Sequence, residues 1–407
     1  MSRIDELIAE LAPRGVEVKA LGEVGEFIRG NGLQKADLRD AGFPAVHYGQ
    51  IHTHYGVWAM KTKSFTDENI AVKLRHARPG DLLIATTSED DDAVAKATAW
   101  LGNTDVALSG DAYIYRHELE PKYMSYFFQS TSFQDQKRRF VSGTKVRRVS
   151  GDSLAKIRIP VPPLEVQREI VRVLDQFTQL EAELEAELEA RRAQYDYYAG
   201  ELLTVEQDVP RARFGDVATI VRGASPRPIQ QFLTDDPDGA PWIKIGDVPA
   251  DGKYITRTGQ RVTFDGAAKS RRVMPGDFVL SNSMSFGRPY ISKIEGYIHD
   301  GWLAISGFED SYVADYLYYL LRSAPVQEEF KRRAGAGTVQ NLNAEIVRSV
   351  EIPLPPREVQ ERVVALLDRF DALVNDISIG LPAELAARRK QYEYYRDELL
   401  TFEETAA

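Results

Sequence analysis

The sequence predicts a mixed α/β chain built twice: two similar α/β domains separated by an antiparallel pair of long coiled-coil helices, with a pseudo-two-fold internal repeat. Three observations predict it. The stretch IPVPPLEVQREIVRVLDQF, beginning at Ile159, returns as IPLPPREVQERVVALLDRF at Ile352, 193 residues later. Both copies close on a second shared stretch, RRAQYDYYAGELLT from Arg191 and RRKQYEYYRDELLTF from Arg388, now 197 residues apart. The segments ahead of each copy share a sparser skeleton at nearly the same spacing. A period this long lies far beyond the roughly 20–50 residues of a solenoid unit. The chain therefore divides into domains at 1–155 and 209–349, each followed by a helical block, at 156–208 and 350–407.

The two domains match weakly. Gly22-Glu23-Val24 answers Gly215-Asp216-Val217, and GDLLI from Gly80 answers GDFVL from Gly276. Tyr123, Tyr126, Phe127, Phe128 and Ser130 answer Tyr316, Tyr319, Leu320, Leu321 and Ser323. Short β-branched and aromatic runs broken by Gly, Pro and Asp read as strands of a curved sheet. The tyrosine-rich matches read as one packed helix near the end of each domain.

Each helical block opens on a proline pair, Pro162-Pro163 or Pro355-Pro356, with the second proline suited to a first helical turn. In the first block Ile170, Phe177, Leu184 and Tyr198 share one heptad position, and Leu174, Leu188, Tyr195 and Leu202 share the other. That seam of period 3.5 predicts a coiled-coil helix from Leu164 to Thr204. The second block keeps the seam through Val363, Phe370 and Ile377 and through Leu367, Val374 and Leu381. Four extra residues then move it to Leu385, Tyr392 and Leu399, a stutter. Gly380 and Pro382 stand at that point and predict a kink or a restart.

Composition bounds the function. There are no cysteines among 407 residues, so disulfides and thiolate metal sites are excluded and a reducing cytoplasm is the expected location. No apolar run reaches the roughly 18 residues of a membrane span, and no membrane partner is expected. The formal net charge of −10 is unevenly held. Residues 156–208 carry −6 and 350–407 carry −5, whereas 1–155 carry −1 and 209–349 carry +2. The helices are thus poor surfaces for nucleic acid, and the domains between them remain open to it.

Catalytic signals are missing. The chain has no GxxxxGK[ST] loop, no glycine-rich methyltransferase turn and no NPPY-like motif. His47, His52 and His54 cluster, with His52 and His54 placed to share a strand face, but no fitting carboxylates accompany them and no metal is expected. Glu89 and Asp90 to Asp92 read as a solvated loop or an acceptor for cytosine amino groups. No catalytic residue is assigned.

Basic residues instead concentrate at equivalent places. Lys137, Arg138 and Arg139 precede a loop with Thr144, Lys145, Arg147 and Arg148. Lys331, Arg332 and Arg333 precede one with Thr338, Gln340, Asn341 and Asn343. Lys and Arg neutralise phosphates, Arg pairs bidentately with guanine, and Asn or Gln with adenine. Further candidate contacts are Lys63, Arg271 with Arg272 and the neighbouring Lys269, and Ser283 with Arg288 in the loop after the GDFVL strand.

With these features in place the chain resembles the specificity subunits of type I restriction–modification systems. The paired IPVPPLEVQ and IPLPPREVQ helix starts, the stretch IGLPAELAARRKQYEYYRDELLTF and the two GD-strand domains carry the resemblance over essentially the whole length. It implies two target-recognition domains, each reading half of a bipartite double-stranded DNA site, and helices that set the spacer. It implies a non-catalytic chain that binds no cofactor itself. Two modification subunits holding S-adenosylmethionine would dock on the helices. Restriction subunits, ATP-driven translocases with nuclease activity that use ATP and Mg, would join them. Two alternatives remain: a single-chain restriction–modification enzyme or a fragment of one, which the missing methyltransferase motifs oppose, and a coiled-coil scaffold that binds protein alone.

Overall fold

The computed structural model describes residues 3–203, 209–248, 252–282, 286–335, 341–375 and 379–404. The chain divides into two compact units, Met1–Glu185 with Glu384–Ala407, and Ala186–Ala383. Each holds one α/β domain, the start of the helix that follows that domain, and the end of the other helical block.

The first unit is built on a five-stranded sheet in the order Gly25–Arg29, Ala112–His117, Leu82–Ala85, Lys96–Trp100, Trp58–Ala59, antiparallel except for the last pair. The second repeats it with Thr219–Arg222, Trp302–Ser306, Phe278–Ser281, Pro289–Ser292 and Tyr254–Ile255, again parallel only at the last pair. A smaller sheet accompanies each, centred on a parallel pair: Phe43–Val46 with Val106–Leu108, and Ala240–Ile243 with Gly296–Ile298. The GDLLI and GDFVL strands are buried at every position, which is why they read as continuous apolar runs. Gly80 and Gly276 turn into them at φ +95° and +102°, where a side chain would be strained. Asp81 and Asp277 tie the same turns by accepting from the Arg78 and Met274 amides at 2.8 and 2.7 Å.

The IPxPP repeat acquires a physical meaning here. Arg158–Val161 pairs antiparallel with Glu17–Ala20, and Glu351–Pro353 pairs with Arg211–Arg213, so each domain closes its own beginning onto its end. Prolines then stop the strand, and helices start at Leu164 and Arg357. Pro163 and Pro356 stand just before the first turn, their carbonyls accepting from the Val166 and Val359 amides at 2.9 Å. One turn on, the glutamine of EVQ is buried in both copies. Gln167 accepts from the Glu120 amide at 2.9 Å and donates to Pro162 O at 2.7 Å. Gln360 accepts from the Val313 amide at 2.8 Å and donates to Ser311 O and Pro355 O, both at 2.9 Å.

Each domain contributes two successive helices where one was predicted: Pro121–Phe127 with Thr131–Arg138, and Ala314–Arg322 with Ala324–Ala334. Serine separates each pair; Ser130 Oγ caps the second helix of the first pair through the Phe133 amide. The tyrosine helices meet the long helices through matching bonds, Tyr126 Oη to Asp175 at 2.8 Å and Tyr319 Oη to Asp368 at 2.6 Å.

The predicted long helix runs Leu164–Leu203, and the distal block is two helices, Arg357–Asn375 and Leu381–Leu399. The second distal helix restarts beside Gly380 and Pro382, as the sequence predicts; Ile377 lies outside the described residues. Within the first unit, Phe177 stacks on Tyr395 at 5.4 Å and Arg389 pairs with Glu181 and Glu185, an antiparallel register. Within the second, Phe370 stacks on Tyr198 at 6.2 Å, the same pair of repeat positions exchanged. The seam is not purely helix against helix. Ile170 and Leu174 share a core with Tyr123, Tyr126 and Tyr392, and Val363 and Leu367 share one with Tyr316, Tyr319 and Leu203.

Candidate nucleic-acid interface

In the first unit the sheet, the basic helix end and two loops converge. Strand Arg147–Arg148 pairs with Thr87–Ser88, which brings the loop after GDLLI against the GTKVRR loop. The acidic and basic runs, separate in sequence, are therefore one site. Arg147 Nε pairs with Asp91 at 2.9 Å, and Arg138 pairs with Asp135 at 3.0 Å and Asp92 at 3.7 Å. Arg139, Lys145 and Arg148 are exposed and have no side-chain partner among the described residues; Thr144 is exposed beside them.

Lys137 is a correction. It is fully buried, with Nζ donating to Asp92 O at 3.0 Å and Val94 O at 2.9 Å. Burial pushes its ammonium down to about 8, against the pull of Asp92 and Asp90. The fourfold acidic loop needs an internal donor to fix its backbone, and Lys137 supplies it, so its charge is not presented to a ligand. The histidines are corrected too. His52 and His54 do not share a strand face: His52 lies in helix Tyr48–Thr53, where its Nε2 meets Thr87 O at 2.9 Å, His54 stands at that helix's C-terminal end, and His47 caps its start through the Gly49 amide. Among the described residues no group of three His, Asp or Glu side chains is placed to hold a metal ion.

The second unit shares the frame and differs at the surface. The Leu342 amide donates to Asn282 O at 2.8 Å, as Val149 does to Thr86 O at 3.3 Å. Asn343 accepts from the Ile346 amide at 2.8 Å and caps helix Ala344–Ser349, as Ser150 caps Gly151–Leu154. Asn343 is therefore a cap rather than an adenine-reading side chain, a third correction. Asn341, exposed, is thereby the counterpart in this unit of Arg148 in the first. Arg332 and Arg333 both clasp Glu329, holding its carboxyl down to about 2, and Arg333 also donates to Ser349 at 2.9 Å. Lys331 has no side-chain partner among the described residues. Ser283, Thr338 and Gln340 lie outside the described residues.

The other sequence candidates make local contacts of their own. Lys63 is exposed ahead of strand Ser64–Thr66 of the smaller sheet. Arg272 pairs with Glu295 at 2.9 Å, Lys269 lies over the Phe232 ring at 4.5 Å, and Arg288 lies over Tyr290 at 6.0 Å. Sequence reading missed a cleft of about 250 Å³ beside Arg148, lined also by Arg29, Thr86, Thr87, Asp111 and Tyr113. Its signal was present: Arg29-Gly30 recurs as Arg222-Gly223, at the same 193-residue spacing.

A chain that builds one recognition frame twice and lets the exposed loop residues diverge is a two-headed recognition protein. It belongs to the type I restriction–modification DNA specificity family, whose sequence model matches residues 13–190 and again 207–387. A type I restriction enzyme specificity subunit of Escherichia coli is 30% identical over 277 residues, 65% of this chain and 67% of that one. A putative type I restriction enzyme specificity subunit of Haemophilus influenzae is 33% identical over 277 residues, 65% of this chain and 68% of its own. The fold is shared with a chain from a type I restriction–modification system, TM-score 0.72 at 19% identity, covering 95% of this chain and 98% of that one. It is shared too with the HsdS subunit of Thermoanaerobacter tengcongensis, TM-score 0.54 at 20% identity, covering 96% and 97%. The chain is a DNA specificity subunit with two recognition domains; methylation and restriction reside in other subunits of the complex. No helix among the described residues is long and apolar enough to cross a membrane.

Proposed function

We propose that each recognition domain reads one half of a bipartite site in double-stranded DNA, and that the long helices set the unspecified spacer between the halves. One observation carries this reading: the two domains keep the same strand order, the same Gln and Tyr–Asp fastenings and the same loop frame, yet present Arg148 in one and Asn341 in the other. A guanidinium reads guanine N7 and O6 in the major groove, and a carboxamide reads adenine N6 and N7. The acidic helices, unsuited to phosphates, are left for two modification subunits, with restriction subunits joining the assembly. S-adenosylmethionine, ATP and Mg belong on those partners, in keeping with a chain that lacks their motifs.

Domain exchange tests the reading. Residues 209–349 are replaced by the corresponding domain of another specificity subunit, and methylated adenine is mapped across the genome. One half-site changes while the other half and the spacer stay. Change in both halves, or in neither, refutes independent reading.

A further inference from the structure

Beyond the loop residues, we infer that each recognition domain carries a two-arginine phosphate cradle, Arg29 with Arg75 in the first and Arg222 with Arg271 in the second. The inference rests on the DNA-reading function proposed above and names a part of it that neither the basic loops nor the diverging residues supply.

The construction is the same in both units. Arg29 and Arg222 end the edge strand of the five-stranded sheet, and each is pinned at Nε by a carbonyl across the sheet: Gly110 O at 2.9 Å and Asp300 O at 3.1 Å. A second arginine reaches each from the smaller sheet and donates to its main-chain carbonyl: Arg75 Nη1 to Arg29 O at 2.6 Å, and Arg271 Nε to Arg222 O at 3.4 Å. All four side chains are exposed. The glycine after each edge arginine is obligatory, because a Cβ at Gly30 would collide with the Ser109 carbonyl and one at Gly223 with the His299 carbonyl. Two sheets thereby meet at the end of the edge strand, with one arginine anchored to the carbonyl of the other in each unit.

Charge balance favours an anion there. Like charges repel unless a counter-charge neutralises them, and the carboxylates nearby do so only weakly. Asp111 stands 4.0 Å from Arg29 Nη2, the outer limit of an ion pair. The register gives Gly301 at the matching place in the second unit, where the Asp300 carboxylate is taken by Ser225 at 2.9 Å and Arg227 at 3.2 Å. A phosphate oxygen fits two fixed guanidinium groups because each offers a planar fork of donors.

The comparison between units decides phosphate against base. A base-reading position must differ between domains that read different sequences, and Arg148 and Asn341 differ. A contact to the backbone is common to every duplex, and these arginines are the same in both. They position the domain; the loops specify. In the first unit Arg29 and Arg148 line one cleft, so the backbone contact and the reading residue are neighbours.

The test uses the full chain assembled with its modification subunits. Duplex affinity is titrated across a series of salt concentrations for R29A/R75A, R222A/R271A and the corresponding Arg→Lys pairs. Probes are the cognate duplex and duplexes altered in either half-site. Each alanine pair lowers affinity roughly ten-fold on cognate and altered duplexes alike, and reduces the slope of log K against log salt by about 1–2. The lysine pairs keep most of the slope, which a merely structural role of the arginines would not produce. Loss confined to one half-site, loss with an unchanged salt slope, or no loss at all overturns the cradle while leaving the two-headed reading intact. A wild-type complex that bound no duplex would sink both.

Discussion

At the scale of single residues, the basic run after the first tyrosine helix shows how neighbours of identical charge part company. Lys137, Arg138 and Arg139 look alike in sequence. In the fold one is buried, one is paired with carboxylates and one faces solvent. Lys137 holds the acidic loop by its main chain, at the cost of a buried ammonium whose titration falls to about 8. Once unfolded it titrates near its ordinary value of 10.5. Between those values the unfolded chain binds more protons than the folded one, so this residue makes stability rise with pH through that window. Below about pH 8 the folded state carries the full penalty. Wild type should therefore gain on Lys137→Met by on the order of 1–3 kcal/mol between about pH 7 and about pH 10. Urea unfolding at the two pH values measures it, and parallel stabilities would contradict it. What sequence could not tell about Lys137 is tertiary: burial depends on a loop 45 residues earlier. Arg148 and Asn341 were legible because exposure on a loop needs only polarity and a preceding glycine. Asn343 was not, since a capping asparagine and a reading asparagine look the same until a helix is seen to start after it.

At the scale of elements, the two repeated blocks were read correctly as helices, and their heptads gave the buried face. Which partner covers that face was not legible. Periodicity reports that a stripe is apolar, not what packs on it, and here the domain's own tyrosine helix covers part of the stripe beside the other helix. The fastenings also differ in strength. Gln360 makes three hydrogen bonds with almost no exposure, so Gln360→Ala leaves buried main-chain groups unpaired and should cost about 2–4 kcal/mol. Arg389 joins two helices through Glu181 and Glu185, but its side chain is 51% exposed. Arg389→Ala should cost less than about 1 kcal/mol, and less again at high salt. Calorimetry of the two variants separates these cases. Equal losses would mean that the exposed helix-to-helix ion pairs weigh as much as the buried glutamine, against this ranking.

At the scale of the whole molecule, the helix Leu164–Leu203 is continuous across the boundary between the two units, at Glu185 and Ala186. Its middle is a run of tetrads, Leu180–Glu183, Leu184–Glu187 and Leu188–Arg191, reading LEAE, LEAE and LEAR. Four residues advance a helix by about 6 Å and turn it about 40° past a full circle. Base pairs are spaced by about 3.4 Å, so one tetrad corresponds to a change of one to two base pairs in the spacer. The tetrads make the change structurally mild. Deleting Leu184–Glu187 moves Leu188 and Glu189 into the places of Leu184 and Glu185, which keeps an apolar seam residue and a carboxylate for Arg389. The distal block already tolerates a four-residue difference, since it restarts at Leu381 after Asn375 where the first block runs on unbroken. Deletion or duplication of that tetrad should therefore leave both half-sites as they are and shorten or lengthen the spacer by one to two base pairs. Methylated-adenine maps of the two variants decide it: an unchanged spacer would mean that the helix docks the modification subunits without setting the distance between the readers, and altered half-sites would mean that reading and spacing are not separable in this chain.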